Sequence, residues 1–139
     1  MSTRRLLWIV LLVLPLALGM GSRTGGDSPE KIPVPQKKFR ASFIDQMDVL
    51  TPCANVSIDG ATYLQGKRGE GNYTIGFDRI ASVVFRLSEG KLIGVVKLRD
   101  GASLELILNG SQKAYGATDY GTFQIRLQDL KKMTIGGKG

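Results

Sequence analysis

From Phe39 onward, apolar and polar residues alternate with a period of two. Tyr73, Ile75 and Phe77 share one parity, with Thr74 and Gly76 between them. Val83, Phe85 and Leu87 repeat this, as do Leu104, Leu106 and Leu108, and then Phe123, Ile125 and Leu127. Such alternation sends successive side chains to opposite faces of a strand and leaves one face apolar. Phe39, Phe43, Met47 and Leu50 fall at helical intervals. The β-prone FRASFID, however, runs into Asp45-Gln46-Met47-Asp48, which reads as a turn, so strand is predicted here too. Ser88-Glu89-Gly90-Lys91, Arg99-Asp100-Gly101, Asp59-Gly60 and Asn109-Gly110 supply the turn chemistry of tight hairpins. The pattern predicts about eight short strands arranged mainly as antiparallel meanders.

The pattern is also written twice. At an offset of fifty, Gly66 matches Gly116, Gly71 matches Gly121, Tyr73 matches Phe123 and Ile75 matches Ile125. Phe77 then matches Leu127, Ile80 matches Leu130, Val83 matches Met133 and Phe85 matches Ile135. Upstream, FRASFID aligns with GVVKLRD, so that Ala41, Phe43 and Asp45 meet Val96, Leu98 and Asp100. Residues 39–87 and 92–136 therefore read as two copies of one unit: strand, turn, strand, glycine loop, strand, tight corner, strand. A four-stranded sheet alone leaves its apolar face uncovered. Two can bury those faces together, which predicts an all-β fold of two similar antiparallel four-stranded units packed as a β-sandwich or partly closed barrel. Ile80 and Leu130 are expected to plug the corners. Ile75, Phe77, Phe85, Ile125, Leu127 and Ile135 are expected to face one interior.

The remainder of the chain is of another character. Arg4 and Arg5 precede the uncharged run Leu6–Leu18, which is too short for a membrane-spanning helix and holds Pro15; small residues follow at Ala17-Leu18-Gly19. Residues 1–19 read as a cleaved signal peptide, which implies a secreted or periplasmic protein of the cell envelope. Membrane contact is expected only if the signal is retained. Residues 20–38, with Gly25-Gly26 and Pro29, Pro33 and Pro35, read as a flexible Gly/Pro linker, and 137–139 as a tail. Residues 39–136 are left as a single β domain. Cleavage would leave 17 basic residues against 12 acidic ones, a mild +5 scattered along strands and turns. That suits a solvated surface or attraction to an anionic envelope partner, and lacks the basic, aromatic-lined motif of a nucleic-acid binder.

Candidate chemistry is sparse. The chain has no histidine, so Ser-His-Asp and Cys-His catalysis and histidine metal sites are absent; one cysteine cannot build a thiolate metal site. Asp45 and Asp48 flank a predicted turn, where acids are ordinary turn formers. No catalytic residue, metal ligand or cofactor is predicted. The loop Gly66-Lys67-Arg68-Gly69-Glu70-Gly71 could present N–H groups to an anion, yet it lacks the Gly-Lys-Ser/Thr ending of a phosphate loop and reads as a strand connection. Lys67 and Arg68 on that loop, with Lys97 and Arg99 near the Asp100-Gly101 turn, are the candidate ligand-binding residues. Cys53, odd in an oxidising compartment, is either a buried inert thiol or the site of an intermolecular disulfide. Asn55, Asn72 and Asn109 each begin an N-x-S/T sequon, the acceptor pattern of eukaryotic secretory glycosylation.

GTFQIRL running into Gln128-Asp129-Leu130, with a DG turn before a strand, resembles small exported bacterial β-domain proteins, largely uncharacterised. The resemblance covers residues 39–136 and implies an exported all-β module with no catalytic residue carried over. Two functions are compatible with these readings. One is a non-catalytic binding or adaptor module for an envelope protein or anionic envelope polymer, as a monomer or weak homo-oligomer. The other is an assembly subunit pairing through exposed strand edges.

Overall fold

The computed structural model describes residues 33–136; the expected signal peptide, the first part of the linker and the tail lie outside the described residues. Residues 33–38 carry no strand, but Pro35 is buried and Pro33 lies against Gly60. Ten strands follow: β1 Arg40–Asp45, β2 Leu50–Ile58, β3 Tyr63–Arg68, β4 Gly71–Gly76, β5 Ile80–Ser88, β6 Lys91–Leu98, β7 Ser103–Leu108, β8 Lys113–Thr118, β9 Gly121–Arg126 and β10 Leu130–Gly136. Short 3-10 turns at Phe77–Arg79 and Leu127–Asp129 make the corners into β5 and β10. The all-β expectation holds.

The number and arrangement of strands differ from expectation. The strands form one antiparallel sheet in the order β4-β3-β7-β6-β5-β10-β1-β2-β8-β9, curled into a half-barrel, and not two four-stranded units packed face to face. The sequence conceals one strand in each half, because β2 carries Pro52 and Asn55, both poor strand formers, and the four-residue turns after β2 and β7 are easily read through. Curling is visible in the aromatic contacts. The Phe39 ring meets Phe77 edge-on at 5.7 Å, and Phe43 of β1 stacks on Phe123 of β9, also at 5.7 Å, although two strands separate β1 from β9 in the sheet.

The strand bounds recur. β3, β4, the first corner and β5 begin at residues 63, 71, 77 and 80; β8, β9, the second corner and β10 begin at 113, 121, 127 and 130. Exchanging β1–β5 with β6–β10 reverses the strand order onto itself, so the sheet has an approximate two-fold axis between β5 and β10. Val83 pairs with Met133 across that axis, with Val84 opposite Lys132 and Ser82 opposite Thr134. Upstream the offset is 53: Phe43 pairs with Met133 as Val96 pairs with Val83. The alignment of Phe43 with Leu98 is therefore corrected by two residues, which preserves the parity and hence the buried face. The three-residue difference is absorbed in β2, nine residues long against six in β7, where the ladder slips between Ala54 and Ser57 and Asn55 turns to φ +53°.

The concave face holds the core. Phe77, Leu127, Ile80, Leu130, Val83 and Met133 are fully buried, Phe85, Ile135 and Ile75 are buried, and Ile125 packs half-buried against them. Tyr73 and Leu87, of the same parity, sit near hairpin tips and are exposed. Gly66 and Gly116 stand at matching places where strands approach closely. A Cβ on Gly66 would lie 2.7 Å from the Leu106 Cβ, and one on Gly116 would lie 2.6 Å from the Cys53 Cβ. Bonds at the corners also match: Phe77 N–H donates to Thr62 O and Leu127 N–H to Gln112 O, while Arg99 N–H donates to Arg79 O and Gln46 N–H to Asp129 O.

Candidate functional site

The convex face of the sheet is where the two halves part company. On β6 and β7 the outward residues are Ile93, Val95 and Lys97, and Ser103, Glu105 and Ile107. The β3–β4 hairpin lies beside β7, yet only Lys67 pairs with Ile107 across that junction. One residue beyond this pair β3 ends in its hairpin turn. A shallow cleft of about 650 Å³ opens between the hairpin tip at Lys67, Arg68 and Gly69 and the first half of β7, floored by Ile93, Val95 and Ile107.

Backbone groups of β7 are left over in this opening. Alternate residues of an antiparallel ladder address one neighbour or the other. The turn bond from Leu98 N–H to Ala102 O sets the phase, so Leu104, Leu106 and Leu108 address β6 while Ser103, Glu105 and Ile107 address the hairpin side. Ile107 meets Lys67 there. Among the described residues, Ser103 and Glu105 have no strand opposite them on that side.

The predicted binding residues divide accordingly. Lys67 and Arg68, both exposed, form the lip of the cleft, because Gly66 faces the core and sends its neighbour Lys67 outward. Lys97 projects from β6 opposite Ser103, beside the cleft and not in its lining. Arg99 is diverted: its Nε donates to Asp78 O at 3.1 Å and its Nη2 to Ile135 O at 3.5 Å, so its guanidinium fastens the corner before β5. Glu105 brings one acid to the cleft, and Arg86 pairs with it at 3.2 Å. Sequence reasoning singled out the cations but not the apolar floor, whose signal was the run of branched residues at both parities of LIGVV.

The other candidates are embedded in the fold. Cys53 is 2% exposed, and burial pushes its thiol up to about 11. Asp45 Oδ1 accepts from the Met47 and Val49 N–H groups, and Asp48 pairs with Lys131. The glycine loop is the β3–β4 hairpin turn, with Gly69 at φ +62°. Asn109 accepts from the Ser111 N–H and hydroxyl, and Asn72 lies on β4. Among the described residues no three His, Cys, Asp or Glu side chains converge as a metal site.

Fold and site together define a single-sheet, half-barrel β protein with a shallow cleft on its outer face at a strand junction. A family model described as an uncharacterised protein matches residues 35–138, and the chain belongs to that family. No curated protein and no solved structure matches it.

Proposed function

We propose that the chain is an exported, non-catalytic binding or adaptor module of the cell envelope, working through the β3–β7 junction. The observation that carries this reading is the cleft itself: an apolar floor beneath two exposed cations, Lys67 and Arg68, with a third, Lys97, on the next strand. The Arg4-Arg5 start and the short apolar run after it support export. An envelope protein or an anionic envelope polymer is the partner that such a rim would attract. The candidate acids Asp45 and Asp48 are held in turn and ion-pair contacts, which supports a role without catalysis. We also read the two halves as copies of one unit, on the recurrence of strand bounds and the symmetric strand order.

The test is co-sedimentation with envelope fragments across a salt series. Exposed charges are screened beyond about 8 Å at physiological ionic strength, so retention should fall as salt rises. Reversing both charges, Lys67→Glu with Arg68→Glu, should release the protein at low salt while leaving the melting temperature nearly unchanged. Retention that ignores salt and reversal alike would overturn this function.

A second reading, an assembly subunit, is favoured by the sheet's two edges. β4 (GNYTIG) has no charged residue and no proline, and β9 (GTFQIR) has only a terminal arginine, so neither carries the usual protection against edge pairing. Light scattering after size exclusion separates the two: a concentration-independent monomer speaks against assembly.

A further inference from the structure

We infer that the β3–β7 junction takes up one extended, acidic peptide segment by strand addition onto Ser103–Glu105 of β7. This rests on the binding-module reading and specifies its partner. The junction has a counterpart across the approximate two-fold axis, where β2 meets β8.

The two junctions have the same place in the fold and opposite character. β8 pairs with β2 at Ala54–Ala117 and, on the far side of that pair from Pro52, at Ser57–Tyr115 and Ile58–Ala114, whereas β3 holds β7 by one pair. At the 53-residue offset, Glu105 of the open junction corresponds to Pro52 of the closed one. Proline has no N–H, so the closed junction lacks the donor that an added strand would need at that step. At the 50-residue offset, Lys67 and Arg68 correspond to Ala117 and Thr118. The floor residues Ile93, Val95 and Ile107 correspond to Arg40, Ser42 and Ala54. One junction thus has a proline at this step, no apolar floor and no cation at its lip, and the other keeps its backbone donors, an apolar floor and a cationic lip.

These features select the ligand. Free backbone groups of a strand edge recognise an extended chain through main-chain hydrogen bonds, and alternate side chains of that chain then fall on the sheet face. Ile93, Val95 and Ile107 on that face match branched apolar residues at every second position. Arg68, of the opposite parity to Lys67, matches a carboxylate in an intervening position, and Lys67 and Lys97, on the outer face, match carboxylates flanking the apolar ones, while Glu105 is already paired with Arg86. A polyanion without strand-forming ability satisfies the cations and leaves Ser103 and Glu105 as they were.

The probe is a short fluorescent peptide of alternating Glu and Val, compared with its Lys–Val counterpart, a proline-interrupted Glu–Val peptide and polyglutamate. Binding is read by anisotropy and by amide hydrogen exchange on the full chain. The Glu–Val peptide should bind best and slow exchange at the Ser103 and Glu105 amides, leaving Ala54 unchanged. Glu105→Pro, which copies Pro52, should weaken binding about tenfold, the loss of a single hydrogen bond. Should that variant fail to fold, exchange at the two amides of the unsubstituted protein decides alone. Absence of Glu–Val binding, equal binding of the proline-interrupted peptide or polyglutamate, or unchanged exchange at Ser103 and Glu105 would each overturn strand addition. If envelope retention still follows salt and Lys67/Arg68 reversal in that case, the binding module stands and only this mode of recognition falls.

Discussion

Cys53 fills in β2 the place that Leu106 fills in β7, each pressed against a glycine of the neighbouring hairpin. A small apolar thiol there is a packing residue, and its ionisation is opposed by burial. The unfolded thiol titrates at its ordinary 9.0 and the folded one at about 11, so the folded state holds the proton more tightly. Its contribution to stability is complete below pH 9.0 and is lost as pH climbs through about 11, a change of about 2–3 kcal/mol. Cys53→Ala should lack this alkaline step, which urea midpoints of both proteins below pH 9.0 and near pH 11 will show. Equal alkaline losses in the two would place the thiol in water. Phe77, fully buried and edge-on to Phe39, makes a second residue-scale prediction. Phe77→Ala should cost about 3–5 kcal/mol of a total of about 5–15, lowering the melting temperature sharply; a shift of only a degree or two would refute its assigned place. The parity of apolar residues made such core positions legible in the sequence. Arg99 was not: its role depends on a bond to Ile135 O, which no local pattern announces.

Hairpins are the elements that the sequence marks best, because their turns demand particular backbone angles. Glu89 and Gly90, between β5 and β6, both have positive φ, +52° and +78°. Two successive residues of that kind define a turn in which Asn-Gly is preferred over Glu-Gly. Glu89→Asn should stabilise the protein by about 0.5 kcal/mol, measurable as a rise in urea midpoint without change in slope. No gain would mean that the turn relaxes away from this geometry in solution. β2 is the element that local chemistry hides. Pro52 and Asn55 argue against a strand, yet pairing with β1 on one side and β8 on the other overrides them, and the bulge at Asn55 absorbs the misfit. The consequence reaches the candidate site, since Pro52 distinguishes the closed junction from the open one. That contrast needs the register of both junctions and could not be taken from either stretch alone.

Across the whole molecule, the two halves of the sequence are interleaved. β5 pairs with β6 and β10, β1 with β10, β3 with β7 and β2 with β8, so five of the nine strand junctions join one half to the other. Neither half can bury its apolar face or satisfy its edges alone, which is the physical reason why the chain forms one curled sheet and not two stacked ones. The offset of fifty showed that two halves existed, but strand exchange between them is a property of long-range pairing. Approximate symmetry also sharpens the functional question, because it supplies an internal control: one junction with Lys67 and Arg68, one with Ala117 and Thr118. The most direct measurement is therefore retention of the full chain on native envelope fragments at low salt, with and without the double substitution Lys67→Ala and Arg68→Thr, which writes the closed junction's residues into the open one. Retention should be lost while the melting temperature stays within a degree or two of the unsubstituted protein. Undiminished retention of the folded double variant would contradict a working surface at the β3–β7 junction.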